Sequence, residues 1–472
     1  MAARRQPAPG LDKIPSDPRA LRDIRGPVTI SPRAPLMACR AASMAASADD
    51  SSQSQSGQTS YEDSYWRVVL PTAMALVLCN MDRICMAVAI VPMAKEFGWA
   101  PGVQGIIQSA FLWGYIGTTG LGGSLADKYG GKVVMAASIF WFSLASLLLP
   151  LALAGPVGRM GWTLPAVLVA RAFVGLGEGA SMPAMNNLMA TRVPPQQRAS
   201  SIGTAFAGFH SGNLVGLALS PLLLSCFGWR GIFYIFGILG GPLLAAWLAL
   251  VPPDTPRATK SKASSAGMLE SWKTFLSKKA TWAIVAVNFV NHWSYFILLN
   301  WMPSYFVRAL GLDLRASSFL SFLPWIVLAV GSTLAGMLAD RLVSQGVSKT
   351  RVRKVFQSIA FLIPAVALQI LANPSISPRA AVTCLTFALG VTSLGQAGFV
   401  ANMSDIAPTR AGQMFGLCNT FGSFAGILGT SAVGFIVEAT GSFDPVFKLT
   451  SALCVAATIL WNMWCTGEKV FD

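Results

Sequence analysis

The sequence predicts an all-α membrane protein with twelve transmembrane helices, arranged as two six-helix, pseudo-symmetric halves. Three observations lead to this prediction: the composition, a series of apolar stretches of membrane-spanning length, and a repeat that relates the two halves. Of the 472 residues, 53% are hydrophobic and only 12% are charged, which is about half the charged share of a typical soluble protein. This composition excludes a soluble enzyme, a disordered protein and a disulfide-stapled scaffold.

The N-terminal segment, residues 1–64, is polar, and we expect it to be a tail followed by a linker. Eight basic and three acidic residues precede Asp49, and the segment lacks the apolar run that a secretory signal requires. Its Ala-, Ser-, Pro- and Arg-rich composition is typical of an organelle transit peptide, and the small residues around Met37–Ala41 resemble a plastid cleavage region. A plain disordered cytosolic tail is the alternative, which the three acidic residues favour.

Apolar stretches long enough to cross about 30 Å of hydrocarbon recur from residue 66 onward. Short loops rich in glycine, proline and charge separate them. The twelve predicted spans are 66–92, 102–125, 133–154, 163–190, 200–226, 230–251, 280–306, 317–339, 355–372, 379–402, 412–437 and 445–466. The predicted organisation is an N-terminal half (65–252), a basic loop (253–279), a C-terminal half (280–466) and a short tail (467–472).

Lysine and arginine are distributed unequally between the loops on the two sides. Loops after even-numbered spans carry about sixteen of them and loops after odd-numbered spans about six. The positive-inside rule therefore places the even-numbered loops and both termini on one side, called here the inner face. The basic residues behind the net charge of +15 thus serve to orient the helices in a lipid bilayer. A nucleic-acid partner is not needed to explain this charge.

The two halves repeat each other in sequence. The segment Gly123–Lys128 (Gly-Ser-Leu-Ala-Asp-Lys) follows span 2, and Gly336–Arg341 (Gly-Met-Leu-Ala-Asp-Arg) follows span 8. A second pair of similar segments, Arg198–Gly203 and Arg410–Gly416, is separated by nearly the same number of residues as the first pair. Two parallel six-span halves with one period indicate an internal duplication, and transporters are commonly built in this way.

The repeated Gly-x-Leu-Ala-Asp-Lys/Arg motif resembles the signature loop of the major facilitator superfamily. The resemblance implies the major facilitator fold and assigns gating roles to Gly123, Asp127 and Lys128, and to Asp340 and Arg341 of the second copy. The glycine lets helices approach closely, and the carboxylate accepts hydrogen bonds at a helix N-terminus. The basic residue then anchors the loop at the membrane surface.

Further segments are similar to the anion:cation symporter family. That family includes type I sodium/phosphate cotransporters, vesicular glutamate transporters, sialin, and the plastid phosphate and ascorbate transporters of plants and algae. The resemblance covers residues 65–466 and rests mainly on Asn80–Arg83, Gln108–Tyr115, Arg171–Gly179 and Asn288–Trp293. Gln108 and Asn291 stand where the vesicular glutamate members have histidine and arginine, which favours the plastid members.

Away from the span ends, four charged residues remain inside the spans: Asp82 and Arg83 in span 1, and Arg171 and Glu178 in span 4. A charge at the bilayer centre costs about 2.5–3.5 kcal/mol on insertion scales, so four of them indicate a function or mutual pairing. The spacing of Arg171 and Glu178 is about two helical turns, so both lie on one face, roughly 10 Å apart. They are too distant for a direct pair, and a substrate or a span 1 residue could link them.

Two interpretations of these charges stay open. One is a structural network in which Arg83 pairs with Glu178 and Asp82 with Arg171. In the other, which the resemblance implies, the arginines bind an anion through their planar, permanently charged forks, and Asp82 and Glu178 handle the coupling cation. Ionised Glu178 then competes for the arginines, and protonation or cation binding frees them. The predicted binding residues also include Tyr115, Gln108, Asn291 and His292.

The predicted function is secondary active transport of a small anion, coupled to Na⁺ or H⁺, by alternating access between the halves. Inorganic phosphate is the first expected substrate, and an organic anion (ascorbate, glutamate or a sugar acid) is the alternative. A non-transporting receptor or sensor on the same fold is the alternative of another class. The gating Asp127 and the four buried charges disfavour it.

We expect no enzyme activity, no cofactor and no metal site. The sequence shows no nucleophile–base constellation, no phosphate-binding Gly-Lys-Ser/Thr loop, and no Cys-x-x-Cys among its eight cysteines. The expected protein is a monomer in the chloroplast envelope or the thylakoid membrane. The plasma membrane or the membrane of another organelle is the alternative.

Overall fold

Long helices make up nearly all of the described chain. The computed structural model describes residues 65–154, 161–193, 198–253, 265–373 and 375–471. The predicted transit peptide and linker, residues 1–64, lie outside the described residues. Every regular element within the described ranges is helical, as the composition predicts.

The N-terminal half contains spans 1 to 6. Spans 5 and 6 share the stretch Arg198–Leu250, which is divided at Gly228, where φ is +69°. A positive φ of this size favours glycine because glycine has no Cβ. The other bounds are Leu70–Phe97 for span 1, Pro101–Tyr129 for span 2, Gly131–Ala154 for span 3, and Thr163–Gly179 continued by Ser181–Arg192 for span 4.

The C-terminal half contains spans 7 to 12. Span 10 consists of two helical pieces, Pro378–Thr392 and Phe399–Ile406, joined by a 3-10 turn at Ser393–Gln396. The other spans are Lys279–Arg308, Leu314–Ser344, Lys349–Leu371, Ala411–Thr440 and Asp444–Trp464.

The stretch between the halves contains a helix, Ser265–Leu276, where the sequence predicts only a basic loop. Apolar residues recur at helical spacing in this segment and form a stripe along one side of the helix, at Trp272, Phe275 and Leu276. This stripe packs against the core of the C-terminal half, and Phe471 of the C-terminal tail lies 5.0 Å from the Phe275 ring. The apolar stripe explains why this part of the predicted loop is helical.

Ten helices of the described residues are long and apolar enough to cross a membrane. One of them, Ser201–Leu250, holds both span 5 and span 6. Span 2 is not among the ten because glycine, glutamine and threonine lower its hydropathy. With span 2 and the division at Gly228, the helices correspond to the twelve predicted spans.

Glycines bring spans 2 and 4 into direct backbone contact. A Cβ placed on Gly114 would lie 1.9 Å from the carbonyl oxygen of Ala172, and one on Gly175 would lie 1.9 Å from that of Phe111. Only glycine permits this approach. The close crossing positions the neighbouring turns of span 4, which carry Arg171 and Glu178.

The two halves meet at their outer ends, opposite the basic loops. The backbone N–H of Gly102, at the start of span 2, donates to Glu438 Oε2 at the end of span 11, with an N···O distance of 2.8 Å. The hydroxyl groups of Ser431 and Ser109 join the same spans at 2.9 Å. These contacts close the path between the halves on the outer side.

The glycines of the repeated motifs lie towards the inner ends of the spans. The glycines of the two repeated motifs are Gly123, Gly336, Gly203 and Gly416. A Cβ on any of the four would meet no described atom within 4 Å. In this conformation spans 2 and 11 contact each other at the outer face, and the motif glycines make no described close contact at the inner face. Close helix contacts at the motif glycines, as the resemblance implies, are not made in this state.

Candidate functional site

The four charged residues of spans 1 and 4 lie together in the interior of the N-terminal half. Asp82, Arg83, Arg171 and Glu178 are 1%, 7%, 2% and 1% exposed. Arg83 of span 1 and Glu178 of span 4, which are 95 residues apart in sequence, contact each other there. Burial of this degree makes every unpaired donor or acceptor in the cluster unfavourable.

Arg83 and Glu178 form an ion pair. The guanidinium donates from Nε and Nη2 to a single carboxylate oxygen, Glu178 Oε2, at 3.1 and 2.9 Å. The second oxygen, Oε1, is buried and has no hydrogen-bond partner among the described residues. Arg83 therefore occupies one oxygen of the Glu178 carboxylate, and Cys79 of span 1 is a further side chain that interacts with this carboxylate.

Asp82 is held by a hydroxyl group rather than by an arginine. Ser146 Oγ, on span 3, lies 2.7 Å from both carboxylate oxygens of Asp82. Since a hydroxyl group carries one proton, it donates to one of the two oxygens at a time. Of the two pairs in the structural interpretation, the described contacts include Arg83–Glu178 and do not include Asp82–Arg171.

Arg171 is a buried cation with unused donors. Its Nε and Nη1 atoms have no hydrogen-bond partner among the described residues. Its Cζ lies 5.4 Å from the centre of the Phe111 ring. A guanidinium with unused donors can form a bidentate pair of hydrogen bonds to the oxygens of a phosphate or a carboxylate.

Aromatic rings surround the other arginine. The Cζ of Arg83 lies 4.7 Å from the centre of the Phe111 ring, 4.9 Å from that of Tyr115 and 5.4 Å from that of Phe209. Each distance is within the range of a cation–π interaction. Phe111 therefore contacts both buried arginines.

Gln108 and Tyr115 lie on the same face of span 2 as Phe111, since the three are three or four residues apart. Gln108 is 2% exposed, and neither its Nε2 nor its Oε1 has a hydrogen-bond partner among the described residues. This amide offers one unused donor group and one unused acceptor beside the arginines.

The structure does not bring Asn291 and His292 to the four charges. His292 Nδ1 lies 3.0 Å from the carbonyl oxygen of Asn288, and its ring packs against Gly422 of span 11. Asn291 lines a small cavity of about 30 Å³ between spans 7, 9, 10 and 12. Tyr295, one turn further along span 7, makes the contact with the N-terminal half instead.

Tyr295 accepts a weak hydrogen bond of 3.4 Å from Asn213 Nδ2 on span 5. Its ring lies 5.2 Å from that of Trp325 on span 8. Spans 5, 7 and 8 thus meet at Tyr295, at the boundary between the two halves.

The predicted gating residues lie at the inner face. Lys128 is exposed, and its Nζ lies 5.0 Å from the centre of the Tyr129 ring. Asp340 and Arg341 are exposed as well. The side chain of Asp127 lies outside the described residues, so its gating role stays a prediction.

Several residues of the site carry no signal in the sequence. Ser146, Phe111 and Phe209 are ordinary residues of apolar helices, and only their contacts with Asp82 and Arg83 distinguish them. Glu438 lies at a span end, where a charge is unremarkable, yet it joins the two halves. Such roles depend on which helix packs opposite each of these residues. The periodicity of apolar residues in the sequence does not specify that helix.

Comparison with known proteins identifies the family. Residues 72–430 match the sequence profile of the Major Facilitator Superfamily. The chain belongs to the major facilitator superfamily. Because the members of this superfamily are transporters, the prediction that the chain is not an enzyme is confirmed.

Curated relatives of this major facilitator are plastid proteins. The chain is 42% identical over 419 residues to each of three proteins, and the match covers 86% of the chain. They are probable anion transporter 4, chloroplastic, of Oryza sativa subsp. japonica, the chloroplastic ascorbate transporter of Arabidopsis thaliana, and sodium-dependent phosphate transport protein 1, chloroplastic, of A. thaliana. The match covers 69%, 76% and 80% of these relatives, respectively.

These relatives confirm the predicted resemblance to plastid anion transporters. Together with the apolar helices, they identify the chain as an integral multi-pass membrane protein of the chloroplast. A transit peptide in residues 1–64 agrees with this location.

Solved structures of other transporters share the fold. A D-xylose–proton symporter superposes with a TM-score of 0.70 at 14% identity, over 85% of this chain and 99% of that one. A bacterial homologue of the human lysosomal transporter Spinster, in an inward-facing and unoccupied conformation, superposes with a TM-score of 0.64 at 18% identity, over 86% and 96%. The predicted major facilitator fold is thus confirmed.

Proposed function

We propose that this major facilitator is a secondary active transporter of small anions, driven by a Na⁺ or H⁺ gradient across a chloroplast membrane. The observation that carries the proposal is Arg171, a buried guanidinium with two donor atoms, Nε and Nη1, that have no described partner. Asp82 interacts electrostatically with Arg171 but accepts none of its described hydrogen bonds. Buried donors without acceptors are unfavourable, and an anion supplies the missing hydrogen bonds. The plastid relatives named as phosphate, ascorbate and anion transporters support the same class of substrate.

The contacts of Glu178 suggest how cation and anion are coupled. While Glu178 is ionised, it holds Arg83 through Oε2. A proton or Na⁺ at the unpartnered Oε1 weakens this pair, because the carboxylate charge is neutralised. Arg83 then becomes available to the anion beside Arg171. Anion binding thereby favours cation binding and the reverse, which is the reciprocity that symport requires.

Alternating access follows from the duplicated halves. In the present state spans 2 and 11 are joined at their outer ends by Gly102 and Glu438. We propose that the inner ends are apart, and the free space at the motif glycines supports this. This state exchanges anion and cation with the inner side. The opposite state breaks the outer contacts and closes the inner ends as the halves rotate about the site. Because one chain supplies both halves, we propose that a monomer is sufficient.

Inorganic phosphate is the first substrate that we propose. A tetrahedral oxyanion can accept hydrogen bonds from two guanidinium groups at once. Ascorbate or another hydroxylated organic anion is the second candidate, and Gln108 is the observation that favours it. The unpartnered donor and acceptor of this buried amide suit the carbon-bound hydroxyl groups of such an anion.

The test is uptake into proteoliposomes that contain the purified protein. Labelled phosphate, ascorbate, glutamate and sialate are each supplied with an imposed Na⁺ gradient, an imposed H⁺ gradient, or neither. We expect saturable accumulation of phosphate or ascorbate above equilibrium with one gradient only. Saturable binding without accumulation, or no uptake of any of the four anions, would overturn the proposal.

A further inference from the structure

We infer that the rings of Phe111, Tyr115 and Phe209 form a cage that keeps the Arg83 guanidinium at the site when Glu178 is neutralised. Within this cage, Phe111 is a positioning residue that holds Arg83 and Arg171 side by side for a single anion. The inference rests on the proposed function, since it concerns how the proposed anion site is kept ready.

The cage is built from two spans other than the one that carries Arg83. Phe111 and Tyr115 belong to span 2, and Phe209 belongs to span 5. Their ring centres lie 4.7, 4.9 and 5.4 Å from Arg83 Cζ. Ring faces attract a guanidinium through their negative electrostatic potential, and this attraction does not require a hydrogen-bond acceptor.

This mode of holding matters when Glu178 loses its charge. Arg83 then loses the partner of its Nε and Nη2 hydrogen bonds. Any replacement acceptor from the protein would compete with the anion for the same N–H groups. The faces of Phe111 and Phe209 avoid this competition, because they hold the cation while its donors stay free. The Tyr115 hydroxyl can itself accept from Arg83, so the two phenylalanines are the members of the cage that never compete.

Phe111 links the two arginines because its ring contacts both, with Arg171 Cζ at 5.4 Å. Its backbone is fixed relative to span 4, where a Cβ on Gly175 would lie 1.9 Å from the Phe111 carbonyl oxygen. Span 4 carries both Arg171 and Glu178. The ring therefore fixes the position of Arg83 relative to the helix that supplies the rest of the site.

Other groups also act on the pair that the cage supports. The charged or titratable side chains that interact electrostatically with Arg83 or Glu178 are Asp82 and Cys79 of span 1, Tyr115 of span 2, Arg171 of span 4 and Tyr295 of span 7. Asp82 is held by Ser146, so Glu178 remains the carboxylate that is hydrogen-bonded to Arg83.

The first test does not depend on transport. The rate of phenylglyoxal modification of Arg83 is measured by mass spectrometry on the purified full-length protein. Glu178→Gln imitates the neutral acid and is combined with Phe111→Leu or Phe209→Leu. We expect the Phe111→Leu double variant to react at least about tenfold faster than Glu178→Gln alone.

The matched control for this test is Glu178→Gln with Phe236→Leu, because Phe236 is fully buried in span 6 and lies in a different apolar cluster. This variant should react at the rate of Glu178→Gln. Equal rates for Glu178→Gln with and without Phe111→Leu would overturn the inference. So would a Phe236→Leu control that reacts as fast as the Phe111→Leu double variant.

The second test separates positioning from packing by kinetics. Phe111→Leu should raise the KM for the transported anion by about tenfold and leave kcat within about twofold, and Phe111→Tyr should restore the KM. An unchanged KM in Phe111→Leu, or an equal rise in Phe236→Leu, would contradict the inference. If the wild-type protein transports no anion, the proposed function fails, and the modification rates still decide whether the cage holds Arg83.

Discussion

Arg83 donates two hydrogen bonds to one oxygen of Glu178, and the other oxygen of that carboxylate has no described partner. The pair crosses from span 1 to span 4, and it leaves Arg171 with its donors unused. We propose that this cluster has two arrangements, with Arg83 bound either to Glu178 or to an anion, and that the charge state of Glu178 selects between them.

The coupling role of Glu178 predicts a specific defect for Glu178→Gln. The amide stays neutral at every pH, so it can no longer link cation binding to the release of Arg83. We expect anion exchange between loaded vesicles to persist, and accumulation driven by the cation gradient to fall at least about tenfold. The measurement is counterflow beside gradient-driven uptake in the same vesicles.

Glu96→Gln is the matched control for this experiment. Glu96 lies near the outer end of span 1, where it is half-exposed and pairs with Arg230. This variant should keep gradient-driven accumulation. Normal accumulation by Glu178→Gln would show that coupling does not run through this carboxylate.

The contact between Ser146 and Asp82 predicts a loss of stability. Ser146→Ala leaves a buried carboxylate without its hydroxyl donor, which costs about 1–3 kcal/mol. We expect the Tm of the purified protein to fall by several degrees, and Asp82→Asn in the same chain to recover part of the loss. Ser143→Ala is the control on the same helix, because Ser143 Oγ has no described partner to lose. Equal Tm values for Ser146→Ala and Ser143→Ala would contradict the prediction.

The crossing of spans 2 and 4 predicts which glycines are needed for folding. Gly114→Ala and Gly175→Ala each place a methyl group 1.9 Å from a carbonyl oxygen, a distance that only displacement of a helix can relieve. We expect little or no monodisperse protein by fluorescence-detected size-exclusion chromatography. Gly241→Ala is the control, because no described atom lies within 4 Å of its added Cβ. A wild-type elution profile for Gly175→Ala would contradict the described crossing.

The motif glycines at the inner face predict the opposite outcome. Gly123→Leu and Gly336→Leu meet open space in the present state, so these variants should fold normally. The added side chains obstruct the closure of the inner ends that the other state requires. We expect normal chromatography with uptake reduced at least about tenfold, whereas Gly241→Leu should transport normally. Full uptake by both motif variants would indicate that the inner ends close without contact at these glycines.

The sequence predicts the twelve spans and the two halves because apolar length, basic loops and the repeat are each properties of the chain alone. The helix Ser265–Leu276 escaped prediction because it is short and its apolar stripe contains only a few residues. Span 2 was assigned correctly although its hydropathy is low, because its position between spans 1 and 3 requires a crossing there.

The partners of the charges were less predictable. Helical spacing places Arg171 and Glu178 on one face of span 4, and the structure shows that Arg83 meets only one of them. Spacing does not identify the helix that lies opposite, so the contact between Ser146 and Asp82 could not be inferred. The packing of span 7 places Asn291 beside spans 9, 10 and 12 and His292 against Gly422 of span 11, and helical spacing alone does not show this.

The most direct test of the proposed site compares anion uptake by wild-type protein, Arg171→Gln and Arg230→Gln in proteoliposomes with equal amounts of folded protein. Arg230 is a matched arginine that is 43% exposed at the outer surface. We predict that gradient-driven uptake by Arg171→Gln is at least about tenfold lower than that of wild type, because Arg171 supplies its unused donors to the anion. Uptake by Arg230→Gln should stay within about twofold of wild type. Wild-type uptake by Arg171→Gln would contradict the central role of this arginine.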